Sequence, residues 1–152
     1  MKRFTSEKQK IGEIGENIAV KYLIKQGFQL IERNYTKKIG EIDIICIKEN
    51  IIHFVEVKTI VKRDSHVSRV TNNQKDANFD NVSRETSKNN EIYNPFENIT
   101  KHKLRKLSRT IEWYLAEKHV SRETWWQIDA IAVVLNYDTR IANVKVLWNV
   151  IA

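Results

Sequence analysis

Residues 40–60, Gly-Glu-Ile-Asp-Ile-Ile-Cys-Ile-Lys-Glu-Asn-Ile-Ile-His-Phe-Val-Glu-Val-Lys-Thr-Ile, constrain this chain more than any other stretch. Ile, Val and Phe fill both halves, and Glu49-Asn50 is the only interior break, so the segment reads as two strands joined by a tight turn. Asn50 tolerates the left-handed backbone that such a turn needs. With Glu49-Asn50 as the loop, Lys48 lies opposite Ile51, Asp43 opposite Glu56, and Glu41 opposite Lys58. Directly opposed residues share a sheet face, so all four ionisable side chains are expected to emerge together among apolar neighbours.

For stability alone this is a poor arrangement. Opposed carboxylates repel, and partial burial drives their pKa values apart. A divalent cation reverses the sign, because two carboxylates, water and a substrate phosphate make an ordinary Mg²⁺ site. Lys58, two residues beyond Glu56, then points an ammonium toward the nucleophile or the scissile phosphate. The bland alternative is a Glu41–Lys58 salt bridge on a sheet of unknown use.

At these residues the chain resembles a known pattern. Asp43 followed by Glu56-Val57-Lys58 on the next strand resembles the D…(D/E)-x-K signature of restriction-endonuclease-like nucleases. Gly12-Glu13-Ile14-Gly15-Glu16, Gly40-Glu41-Ile42-Asp43 and Phe54-Val55-Glu56-Val57-Lys58 are similar to segments of the YraN family, small bacterial proteins predicted to be endonucleases. The likeness spans most of the chain outside residues 61–98. It implies a restriction-endonuclease-like core and a metal-dependent nuclease, with Mg²⁺ or Mn²⁺ held by Asp43 and Glu56 and assisted by Glu41 or Glu16. It also matches Lys103 to a lysine on the family's corresponding helix. Asp129 resembles the aspartate of an Arg-Phe-Asp segment, but Gln127 stands where the arginine is usual. Asp129 is therefore read as a structural hydrogen-bond acceptor, outside the catalytic set.

At 152 residues, 41% hydrophobic and 30% charged, the chain has the composition and length of one globular domain. Its net charge of +7 favours a polyanionic partner, nucleic acid (DNA) first and an anionic membrane a distant second. The lone Cys46 excludes an intrachain disulfide and a cysteine-based zinc cluster. No apolar run reaches membrane-spanning length and the basic N-terminus leads into no apolar segment, so a cytoplasmic protein is expected. Oligomeric state stays open, a homodimer included.

The rest of the chain frames the hairpin. Residues 7–26 have the apolar spacing of an amphipathic helix (Ile11, Ile14, Ile18, Ala19, Tyr22, Leu23) that Gly27 would end. Gly12 and Gly15 are costly inside a helix and predict close backbone approach to the sheet or to a phosphate. Glu16, at the margin of the stripe, is either a solvated flank or a third carboxylate over the metal. Residues 28–35 read as a first strand, with Lys37 and Lys38 in a short connection. Residues 61–98 are polar and without period, and the family's corresponding connection is much shorter. They form either a substrate flap carrying Lys62, Arg63, Arg69, Lys75 and Arg84 or a tolerated insertion, the simpler reading.

Residues 99–118 read as a second helix, capped by Thr100 or Asn98, with Leu104, Leu107, Ile111, Tyr114 and Leu115 as its apolar stripe. Lys101, Lys103, Arg105, Lys106 and Arg109 crowd its first half against the helix dipole, which invites an anion. Lys103, with Lys101 and Arg105, is the candidate nucleic-acid contact; a solvated basic face is the alternative. Residues 125–135 and 140–148 read as the last strands. The histidines (His53, His66, His102, His119) lack metal-ligand spacing, and none is read as catalytic. The expected fold is thus α/β, a mixed sheet of about five strands flanked by helices. The expected function is phosphodiester hydrolysis on nucleic acid, or catalytically weak nucleic-acid binding within a recombination, repair or DNA-uptake assembly.

Overall fold

The computed structural model describes residues 6–63, 79, 81–84 and 94–151. Helix α1 (Glu7–Lys25) leads into a meander of β1 (Gln29–Lys37), β2 (Gly40–Lys48) and β3 (Ile51–Lys62). Strand β4 (Asn81–Arg84), helix α2 (Lys101–Glu117), β5 (Trp126–Asn136) and β6 (Ile141–Leu147) follow. They form one mixed sheet in the order β1-β2-β3-β5-β6-β4. Strands β1, β2 and β3 are antiparallel, β3 and β5 are parallel through the α2 crossover, and β6 returns antiparallel to β5. This is the expected mixed α/β architecture. None of the described helices is long and apolar enough to cross a membrane.

Both helices begin at a side-chain cap: Ser6 accepts from Gln9 N, and Thr100 accepts from Lys103 N. Ile18, Ala19, Tyr22 and Leu23 of α1 pack on Ile44, Cys46, Val55, Ile131 and Val133 of the sheet. On the other side, Leu107, Ile111 and Tyr114 of α2 pack on Tyr35, Ile42, Ile45, Phe54 and Ile128. Strand β5 is buried at every position from Ile128 to Leu135, as expected of a central strand covered on both faces. Cys46 is a small core residue whose thiol is pushed up to about 12 by burial, so it is no nucleophile.

The hairpin register is the one counted from the turn. Glu49 and Asn50 both have positive φ, 49° and 62°, and Lys48 pairs with Ile51, a two-residue loop of the I′ kind. Two elements differ from expectation. The first strand runs to Lys37 and pairs it with Gly40, so Lys37 belongs to the sheet, where it binds Glu117 at 2.7 Å. The insertion is also not wholly a loop. Its residues 81–84 form β4, a sixth strand parallel to β6, and Phe79 stacks edge-on against Tyr137 at 5.4 Å. Arg69, Lys75 and His66 lie outside the described residues.

Gly15 answers one of the two glycine questions. A Cβ there would lie 1.8 Å from Thr59 Oγ1 and 2.8 Å from Thr59 Cβ, so α1 packs at this point directly on the Thr59 side chain of β3. Alanine would gain about 1 kcal/mol of helix propensity and lose more to overlap with β3. Gly15→Ala is therefore expected to destabilise the chain by about 2 kcal/mol, read as a lower midpoint in urea. Gly12 meets nothing within 4 Å and has no such packing reason.

Candidate active-site cleft

Where β2 and β3 part, the ladder gives way to a side chain. Pairing is regular from Lys48↔Ile51 to Ile44↔Val55. At the next position Asp43 turns its carboxylate onto the β3 backbone, and Oδ2 accepts from Val57 N at 2.7 Å. Ile42 and Ile44, two residues apart, pack into opposite cores, so alternation is interrupted around Asp43. The interruption places the Asp43 carboxyl at the α2 side, beside Glu56.

A cleft of about 240 Å³ opens there, lined by Gly40, Glu41, Asp43 and Glu56 from the hairpin and by Lys103, Lys106, Leu107 and Thr110 from α2. The α2 residues follow helical spacing, so one stripe of the helix faces the carboxylates. Gly40 lets the helix come close, since a Cβ there would lie 2.6 Å from Thr110 Oγ1. Lys103 Nζ reaches across to Glu56 Oε1 at 2.5 Å.

The cleft is electrostatically loaded. Burial, then the negative charge of Glu56, push the Asp43 carboxyl up to about 8 against the pull of the Val57 N–H, and Glu16 and Glu41 add to the rise. Glu16, on α1, is not among the lining residues: Arg33 Nη2 lies 3.8 Å from Glu16 Oε2 and donates to Asn17 Oδ1 at 2.8 Å.

Glu41, Asp43, Glu56 and Lys103 thus converge in one cleft. Lys58 is half-buried on β3 but is not among the lining residues, and it makes no ion pair with any described residue. Lys101 and Arg105 are exposed on α2 outside the lining. Thr110, in the lining, and Arg33, beside Glu16, are the residues the sequence reading missed, while Lys106 was read only as one of the basic residues of the helix. Lys106 and Thr110 were legible as three and seven residues beyond Lys103; nothing local marked Arg33.

The donor set suits a hard cation. Every cleft donor is a carboxylate or hydroxyl oxygen, the ligand class of Mg²⁺ and Mn²⁺. Among the described residues no three His, Cys, Asp or Glu side chains gather closely enough to ligate one ion. An ion held here would take a carboxylate pair and Glu41 from the protein and the rest of its shell from water, as Mg²⁺ commonly does.

Asp129 has a different job. Fully buried, it takes the Nδ1–H of His53 at 2.6 Å, Gln127 Nε2 at 2.6 Å and Asn149 N at 2.8 Å. Gln127, in place of the arginine usual in the family, serves as a neutral donor, and Asn149 ties the C-terminal segment to β5. Asp129→Ala would leave those donors unmet, and it is expected to cost about 3 kcal/mol in a urea melt.

The family profile described as "Uncharacterised protein family UPF0102" matches residues 15–133, the span that holds the cleft. The chain belongs to this family, the YraN-like proteins. A UPF0102 protein of Campylobacter hominis is 36% identical over 124 residues, covering 82% of this chain and 83% of that protein. One from Clostridium botulinum is 32% identical over 139 residues, 91% of each. One from Campylobacter fetus reaches 52% over 60 residues, 40% of this chain and 54% of that protein. UPF0102 is a family without an assigned activity, so membership fixes kinship and leaves the chemistry to the cleft.

Proposed function

We propose that this UPF0102 protein is a divalent-cation-dependent phosphodiester hydrolase acting on nucleic acid, DNA first. The observation that carries the reading is the convergence of Asp43 and Glu56 in a cleft whose facing wall presents Lys103 and Lys106. A negative pocket beneath a basic helix suits a polyanion gripped at its edge and a cation held beneath it.

Asp43 and Glu56 would hold the ion, with Glu41 reaching it directly or through water. When bound, Mg²⁺ or Mn²⁺ supplies Lewis-acid polarisation of the phosphate and a more acidic water. The remaining work falls to the chain. The Val57 N–H fixes the Asp43 rotamer so that one carboxylate oxygen stays committed to the backbone and the other is left for the cleft. Lys58, half-buried on the same strand two residues past Glu56, would have to turn into the cleft to stabilise charge on the phosphate or to orient the nucleophile. Leu107 and Thr110 complete the α2 wall of the cleft, whose mouth stays open to water. Lys101, Lys103, Arg105 and Lys106 hold phosphates, which gives affinity without sequence choice.

One observation favours a second reading, a nucleic-acid binder with little catalysis inside a recombination, repair or DNA-uptake assembly. Lys58 stands outside the cleft lining, and a lysine already sits on Glu56. Incubation of supercoiled plasmid, single-stranded DNA and RNA with Mg²⁺ or Mn²⁺ separates the two. Cleavage that depends on Asp43, Glu56 and Lys58 supports the hydrolase; binding without cleavage in any cation supports the binder.

A further inference from the structure

The cleft already contains a cation of its own. Lys103 Nζ lies 2.5 Å from Glu56 Oε1 and is the ammonium that directly pairs with the hairpin's carboxylates. Its root is fixed, because its backbone N–H bonds the cap hydroxyl of Thr100 at 3.2 Å. Its side chain is 49% exposed while that of Glu56 is only 18% exposed. Lys103 therefore has solvent to move into, and Glu56 has little. The Glu56 oxygen under the ammonium belongs to the pair that would receive a divalent cation.

We propose that Lys103 is an internal counter-ion that occupies Glu56 until a divalent cation is bound, so that loading the metal and freeing a lysine for phosphate are one event. This rests on the metal site proposed above and adds its regulation. Without metal, Lys103 neutralises part of the cleft's negative charge and is withheld from nucleic acid. With metal, Glu56 is neutralised by the ion, and Lys103 is released beside Lys106 at the cleft wall as a phosphate clamp. Metal and polyanion then assist each other, and by linkage each raises the other's affinity by the same factor. The device guards against unproductive engagement: the protein grips nucleic acid best when it is loaded.

Removal of the lysine has a signature that a plain phosphate contact would not give. Free Mn²⁺ is followed by electron paramagnetic resonance at pH 7.5 and fixed ionic strength, without nucleic acid, for the wild type, Lys103→Ala and Lys101→Ala. Lys103→Ala is expected to bind Mn²⁺ about three- to fivefold more tightly, the size of a part-exposed ion pair no longer competing, while Lys101→Ala changes affinity less than twofold. In a parallel titration with a fluorescent oligonucleotide and Ca²⁺, a cation that poorly supports hydrolysis, the cation-dependent gain in affinity shrinks in Lys103→Ala. Mn²⁺ affinity that is equal or weaker in Lys103→Ala, with the wild type binding normally, overturns the counter-ion role and leaves the metal site standing. Absence of Mn²⁺ binding in both proteins overturns the metal site and the device with it.

Discussion

At pH 8 and without divalent cations, Asp43→Asn is expected to melt about 5 °C above the parent chain. Burial and the neighbouring carboxylates raise the Asp43 carboxyl from 3.8 to about 8 in the folded protein. Between those values the unfolded chain has released the proton and the folded chain still holds it. The folded state therefore binds more protons, and stability falls as pH rises through the window. Asp43 costs nothing below pH 4, where both states are protonated, and its full penalty stands above pH 8. Asparagine has no charge to bury and keeps an oxygen for the Val57 N–H. We set the gain on the order of 2 kcal/mol, well below the formal linkage value because the cleft is open to water and counter-ions, and each kcal/mol moves the midpoint of a chain this size by about 2–4 °C. Melts at pH 4 and pH 8 check the sign: the variant's advantage should vanish at the acidic end. Added Mg²⁺ should close the gap by stabilising the parent alone.

The same substitution is expected to abolish function. Asp43→Asn and Glu56→Gln should each lower cation-dependent cleavage of DNA at least about 100-fold, the scale for removal of one electrostatic contributor to a phosphoryl-transfer site. Lys58→Ala should lower it by a similar factor. Affinity for DNA in Ca²⁺-free buffer should stay within about threefold in Asp43→Asn and Lys58→Ala, because phosphate contacts on α2 carry binding, and should rise in Glu56→Gln, which frees Lys103. Gel assays of plasmid nicking alongside fluorescence anisotropy give both numbers. A more stable protein with an inactive cleft is the expected pairing, since like charges kept close for function are held at the expense of stability.

Much of this site was legible in the sequence because it is local. Glu49-Asn50 set the turn and the turn set the register as far as Ile44↔Val55, which leaves Asp43 and Glu56 just beyond the last pair and in one cleft. Strict alternation did not deliver the result by itself. The interruption at Asp43 that sends Ile42 and Ile44 to opposite cores has no mark in Gly-Glu-Ile-Asp-Ile-Ile, and Lys58, expected in the cleft from the same count, is not among its lining residues. Gly15 was readable as a point of close approach, although its partner Thr59 was not, because helix and strand meet only after folding.

Long-range features stayed hidden for the same reason. Lys103 and Glu56 are far apart in the chain, and only the path of α2 over the β2–β3 splay joins them. Strand β4 escaped notice because Asn-Val-Ser-Arg holds a single apolar residue, and its place in the sheet comes from backbone pairing with β6. The Asp129 network gathers donors from β3, β5 and the C-terminal segment. The aspartate's type suggested an acceptor; its donors were spread across the chain.

The most direct test is calorimetric titration of Mn²⁺ into the wild type and Glu56→Gln at pH 7.5. Saturable binding near one ion per chain, lost or weakened at least about tenfold in Glu56→Gln, is the predicted result. No saturable heat in the wild type, or an isotherm unchanged by the substitution, would contradict the claim that Asp43 and Glu56 form a metal site.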